Sequence, residues 1–167
     1  MATMYEISVP IYIRRLNGLA GCLKKAQALY AEKKYDEGTL LNYRLYPDMF
    51  SFARQIQQAT DHARNSTALL AGVEAPKVEN TEKSLSDLVA RVENTVNWLK
   101  TINAGQVDGT EGKSVTVKTP AGETKFTGMD LLQHRALPNF YFHTTTAYDI
   151  LRHNGVDLGK RDFMGAA

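Results

Sequence analysis

Four histidines, His62, His134, His143 and His153, carry the side chains of this sequence that titrate nearest neutrality. No two of them stand four residues apart, so the helical spacing that offers two imidazoles to one metal ion is absent. His143 follows the aromatic run Phe140-Tyr141-Phe142 and shares a helical stripe with Asn139 and Ala147. An imidazole buried in such a run needs a hydrogen-bond partner or a metal. The bland reading is a hydrogen-bonded core histidine; the sharper one is a ligand or, in a metal-free enzyme, a general base. His153 falls near a helix end, where a cation complements the dipole. His134 precedes Pro138 and reads either way.

Other polar groups fall where a cavity between helices could use them. Gln55 and His62 share a stripe with Phe52, Ala59 and Ser66. Tyr141, Tyr148 and the run Thr144-Thr145-Thr146 offer hydroxyls that can hold a small ligand or simply bond back to the preceding turn. The candidate pocket is Gln55, Gln58 and His62 from one helix, with Asn139, Tyr141, His143 and Thr146 from another. Cys22 sits between apolar neighbours, where a thiol is inert. The sequence has no phosphate-binding glycine loop, no Gly-x-Ser-x-Gly and no paired-carboxylate signature.

The elements that must position these groups are read from periodicity. The first helix spans Val9–Lys33, with Ser8 as its cap, Pro10 in its first turn, and Val9, Ile13, Leu16, Leu19, Leu23, Ala26 and Leu29 as its apolar face. An apolar linker over 35–47 should lie against the helices and cover one end. The second helix should start near Pro47-Asp48 and stop at Gly72, burying Met49, Phe52, Ile56, Ala59, Ala63 and Leu70. A loop over 73–83 leads to a third helix opened by Ser84-Leu85-Ser86-Asp87 and failing near Asn103-Ala104-Gly105, with Trp98 on its flank. The period then alternates: 114–119 and 123–126 read as two strands joined by a turn at Pro120-Ala121-Gly122. A last helical region starts after Thr127, is interrupted at Pro138, and ends at Asn154-Gly155; a tail then packs back loosely through Phe163.

Composition bounds the rest. The chain has 167 residues, 43% of them hydrophobic, enough for a single domain over 1–167 with its own core. A net charge of +2 and dispersed Lys118, Lys125, Lys160 and Arg161 argue against nucleic acid as a partner. One cysteine excludes a disulfide within the chain. No window reaches the roughly 18 apolar residues of a membrane span, and the start lacks a basic region followed by an apolar one. The expected location is the cytoplasm, with no membrane partner. The fold class expected is all-α: an antiparallel four-helix bundle with a small β-hairpin inserted between its third and fourth helices. The apolar linker, the hairpin and Trp98 are plausible contact surfaces, so a homodimer is expected.

The segment Leu137-Pro138-Asn139-Phe140-Tyr141-Phe142-His143 is followed by Ala147-Tyr148-Asp149-Ile150-Leu151-Arg152-His153-Asn154-Gly155-Val156 and Gly159-Lys160-Arg161-Asp162-Phe163. Together with Pro47-Asp48-Met49-Phe50 and Arg54-Gln55-Ile56-Gln57, it resembles an uncharacterised family of the DinB/YfiT-like superfamily of four-helix bundles, over nearly the whole chain. The resemblance implies that many relatives bind a divalent metal through three histidines, one from the second helix and two, four apart, from the fourth. Some use it for thiol-dependent transfer or isomerisation. Here His143 matches the second histidine of the fourth-helix pair, but Asn139 stands at its partner position. The second-helix position falls near Gln55 or Gln58, with His62 a turn further. An amide oxygen is a poor substitute for imidazole at a zinc or nickel site. No cofactor or metal is therefore expected; were a divalent metal to bind, its ligands would be His143 with His62.

Three function classes follow. The first is a small-molecule binding protein or metal-independent enzyme that uses the polar pocket. The second is an altered metal-dependent thiol transferase or isomerase. The third is a non-catalytic structural or interaction protein.

Overall fold

Helix α1 (Val9–Lys33) buries Val9, Tyr12, Leu16, Leu19, Leu23, Ala26 and Tyr30, a strict alternation of three- and four-residue steps. Tyr12 and Tyr30 take the places expected of Ile13 and Leu29, which lie half-buried at the border of the stripe. Ser8 does not cap the helix with its side chain: its hydroxyl donates to the Met4 carbonyl at 2.6 Å instead. The computed structural model describes residues 2–119 and 122–165.

The linker after α1 holds a short helix, α2 (Glu37–Asn42), capped by the Asp36 carboxylate, which accepts from the Gly38 and Thr39 amides. Leu40 and Leu41 are buried, as expected of an apolar cover, but Tyr35, Leu45 and Tyr46 are exposed. Helix α3 (Phe52–Ala71) starts several residues later than Pro47-Asp48. The reason is a closed loop over 43–51. The Phe52 amide donates to the Tyr43 carbonyl at 2.8 Å and the Arg44 guanidinium donates to the Met49 carbonyl. Asp48 is exposed and Met49 lies outside the helix. Phe52, Ile56, Ala59, Ala63 and Leu70 are buried, and Gly72 ends α3 at φ +69°, the conformation a glycine adopts freely.

Helix α4 (Leu85–Leu99) opens on Ser84, whose hydroxyl accepts from the Asp87 amide at 3.1 Å. It buries Leu85, Leu88, Val89, Val92, Val96 and Leu99, while Trp98 is half-buried against the core. A single turn, α5 (Ala104–Val107), leads to the hairpin of β1 (Val115–Thr119) and β2 (Gly122–Phe126). The strands are antiparallel, with Val115 opposite Phe126 and Thr119 opposite Gly122. Pro120 and Ala121, on which the expected turn falls, lie outside the described residues. Val115, Val117 and Phe126 anchor the hairpin on the helices.

The last helical region begins at α6 (Gly128–Asp130), capped by the Thr127 hydroxyl. It runs through a π-helical stretch, Leu131–Ala136, directly into α7 (Leu137–His153). Pro138 therefore does not break the chain. It lacks an N–H, so the preceding turn loses a donor; the turn widens, and the Leu137 amide reaches back to the Leu132 carbonyl. The Asn139 side-chain amide donates to the Arg135 carbonyl in the same stretch at 2.7 Å.

The tail packs more closely than expected. Helix α8 (Lys160–Met164) meets α1 where Gly18 has no room for a side chain: a Cβ there would fall 2.8 Å from the Asp162 carbonyl oxygen. The Arg15 guanidinium lies 4.3 Å over the Phe163 ring and donates to the Phe163 carbonyl. Around one apolar core, α1 packs on α4 and α7, and α3 packs on α4 and α7. The protein is thus mostly helical with one small two-stranded hairpin. Among the described residues no helix is long and apolar enough to cross a membrane.

Candidate functional site

Helices α3 and α7 face each other along their lengths, and their polar residues meet at one level. His143, only 6% exposed, places Nδ1 2.7 Å from the Gln55 side-chain oxygen. The Gln55 amide nitrogen donates to the Phe50 carbonyl at 3.1 Å, which turns its oxygen toward the ring. A carbonyl oxygen only accepts, so His143 carries its proton on Nδ1 and leaves Nε2 as the acceptor. Phe50 stacks near the imidazole at 6.2 Å between centroids, and Phe142 meets it edge-on at 5.4 Å. The closed loop that delays α3 is what places Phe50 there.

His62 lies seven residues along α3 from Gln55, on the same stripe. Its ring is 5.6 Å from that of His143 and within 14° of parallel. Burial pushes the His143 imidazolium down to about 4, with the neighbouring His62 and Arg54 adding to the effect. Burial also pushes His62 down to about 4, helped by Arg135 and partly opposed by Asp61. Both rings are neutral at pH 7.

His62 opens on a cavity of about 190 Å³. Gln58, Asp61 and Asn65 of α3 line it, with Arg135 from the π-helical stretch and Val117 and Lys118 from the hairpin. Asp61 is held from behind: its carboxylate accepts from Arg64 and from Arg91, each at 2.7 Å. Arg91 also grips Glu82 at 2.7 Å and the Thr60 hydroxyl at 2.8 Å. This ionic cluster ties α4 and the loop before it to α3.

The expected pocket residues therefore divide. Gln55 and His143 are bonded to each other, and Gln58 and His62 line the cavity. The structure does not bring the other three to that place. Asn139 serves the widened helix turn. The Thr146 hydroxyl donates to the Phe142 carbonyl at 2.8 Å. Tyr141 packs edge-on against Phe140 and under the Arg15 guanidinium. Sequence reading missed Arg135, Lys118, Asn65 and Phe50. A proline ten residues into a helical pattern was the available signal for Arg135, because such a break alters which residues share a face.

A three-imidazole metal centre does not fit these residues. Asn139 brings an amide rather than an imidazole, with its nitrogen spent on a backbone carbonyl, so only His62 and His143 bring rings together here. The cationic Arg54 and Arg135 act on the two imidazoles, a poor setting for a divalent cation. Among the described residues no three His, Cys, Asp or Glu side chains gather as a metal-holding group.

Comparison with known proteins agrees with the fold. Over 98% of its length the chain is 36% identical to a DinB family member protein from Shewanella denitrificans, whose crystal structure superposes with a TM-score of 0.87 and is covered over 92% of its chain. No curated protein matches the chain. Residues 4–164 match the model of a domain of unknown function, DUF1993. A chain of DinB-like fold matched over nearly all of its residues in this way belongs to the DUF1993 family.

Proposed function

We propose that this protein is a four-helix bundle of the DinB/YfiT type that binds a small polar molecule without a metal, in the cavity beside His62. The observation that carries the reading is the Gln55–His143–His62 arrangement. Two neutral imidazoles are held in place, one by a fixed amide and one at the wall of a polar cavity. A cavity of about 190 Å³ is smaller than the roughly 300 Å³ at which drug-sized pockets begin, so the molecule is small. The His62 ring supplies a hydrogen-bond acceptor or donor of no net charge at the cavity wall, and His143 stacks against it at 5.6 Å. With its conjugate acid near 4, His62 is a weak base at neutral pH, which suits it to binding better than to strong proton abstraction.

The test has two arms. Elemental analysis of protein purified without chelator or nickel resin should show no zinc, nickel or iron above background. Near-stoichiometric metal that disappears in His143→Ala would overturn the metal-free reading and restore an altered thiol transferase or isomerase. A screen of small polar compounds, read on histidine-labelled protein by NMR, should find binders that move the His62 signals. None moving them would leave a structural or interaction protein. A homodimer in the cytoplasm is the assembly we propose, because Leu45, Tyr46, Phe50 and Phe142 are exposed apolar side chains. Sedimentation at micromolar concentration giving a monomer would remove it.

A further inference from the structure

We propose that the molecule held in this cavity is a small carboxylate, gripped by Arg135. The inference rests on the preceding reading and names the ligand class.

Charge decides it. Arg135 is half-buried, lines the cavity, and has no acidic or hydrogen-bonding partner for its guanidinium among the described residues. Asp61 is the one acid among the lining residues, and Arg64 and Arg91 already hold it at 2.7 Å each. With Glu82 also on Arg91, the two carboxylates and two guanidinium groups of this cluster balance before any ligand arrives. Lys118 adds a second cation at the rim, tied only to exposed Glu123 across the hairpin at 3.1 Å. An exposed pair of this kind is weak enough to be exchanged for a ligand.

Two cations, Arg135 and Lys118, thus face the cavity against one acid whose charge is already paired. A cavity with net positive potential takes an anion. A guanidinium matches a carboxylate through two parallel N–H···O bonds, and the Gln58 and Asn65 amides, unbonded among the described residues, can donate to the remaining oxygens. The cavity has the volume of about six waters at about 30 Å³ each, which fits a chain of a few carbons. Arg135 lines this cavity from the widened turn before Pro138, so the feature that disturbs the helix also presents the cation.

The experiment titrates the intact protein with malonate, with its neutral isostere malonamide and with inorganic phosphate, following the His62 ring and Arg135 guanidinium signals by NMR. Malonate should saturate and move both. Malonamide should bind about tenfold more weakly or worse, and raised salt should weaken malonate alone. Arg135→Gln should lose about tenfold or more of malonate affinity. If that variant does not fold, the salt dependence of the unaltered protein and Lys118→Gln decide. Equal binding of malonamide would overturn the carboxylate and leave the cavity reading standing. Phosphate in place of malonate would overturn the carboxylate as well. Silence of the His62 and Arg135 signals to all three would sink both readings.

Discussion

The side-chain oxygen of Gln55 and Nδ1 of His143 are 2.7 Å apart, joining α3 to α7. The Phe50 carbonyl fixes the amide, and the amide fixes the imidazole tautomer. An amide therefore orients the ring from α3, where the resemblance to DinB/YfiT-like proteins implied a metal bound to both helices.

Replacing Gln55 by Leu should leave the Nδ1–H of a buried ring without an acceptor. The cost of such an orphan is about 1–3 kcal/mol. The unfolding midpoint in urea should fall, and the imidazole nitrogen shifts of His143 should show a mixture of tautomers. Gln55→Glu should keep the bond but draw His143 toward protonation, because a carboxylate beside the ring favours the imidazolium. An unchanged nitrogen spectrum in both variants would show that Gln55 does not set the tautomer.

Stability should fall as the pH drops from about 6.5 to about 4. Both imidazoles take up protons near 6.5 when unfolded and near 4 when folded, so in that window the unfolded chain binds more protons. The loss is on the order of 3 kcal/mol per ring at most, since one pKa unit is about 1.4 kcal/mol. The charged and titratable groups acting on the pair are His62 and Arg54 on His143, and Arg135 and Asp61 on His62. For Glu82, burial acts to raise the pKa but the bonds from Arg91 and Gln57 prevail, so its contribution also fades toward acid. His143→Gln should therefore flatten, not abolish, the decline. Urea unfolding at pH 7, 5.5 and 4.5 measures it; a parallel profile in the variant would exclude His143 as a source.

Much of this was legible in the chain itself, in proportion to how local the determining interactions are. The stripes of α1, α3 and α4, the Gly72 stop, the Ser84 start and the hairpin follow from period and punctuation within a few residues. The start of α3 was misplaced because a bond from Phe52 to Tyr43 and one from Arg44 to Met49 close a loop that no periodicity reports. The prominence of His143 and its pairing with α3 were also readable, because a polar ring in an aromatic run needs a partner. Asn139 was assigned to the pocket from its helical stripe with His143 and Thr146 from the hydroxyl run on that helix, but each spends its side chain on a carbonyl four residues back. Arg135 could not be placed, since its direction depends on the widened turn before Pro138.

Arg91 should prove the most sensitive charged residue for stability. Its side chain is 2% exposed and it holds Asp61, Glu82 and Thr60 together. Arg91→Met fills similar space but leaves two partly buried carboxylates with fewer partners. Breaking such a buried pair costs about 3–5 kcal/mol. The Asp61 carboxylate would retain Arg64, so the loss should lie toward the lower figure. Chemical unfolding at pH 7 checks this. A loss of less than about 1 kcal/mol, the value of an exposed pair, would mean that the cluster is solvated.

Gly128→Ala should destabilise the junction between the hairpin and α6 without touching the cavity. A Cβ on Gly128 would fall 2.0 Å from the Thr110 carbonyl oxygen, an approach that backbone cannot accommodate without moving, and 3.2 Å from the Leu70 side chain, which would have to shift by a few tenths of an ångström. The backbone of Gly128 needs no unusual angle, so the effect is one of space alone. Either the 110–113 turn moves, or the Glu111 carbonyl loses the Met129 amide now bonded to it at 3.0 Å. Forcing a methyl into a packed site costs about 1–3 kcal/mol. The expected result is a lower unfolding midpoint with faster amide exchange at Met129, while the His62 and His143 ring signals stay where they are. A variant of undiminished stability would show that the turn yields freely and that the approach of Thr110 to Gly128 is not required by the fold.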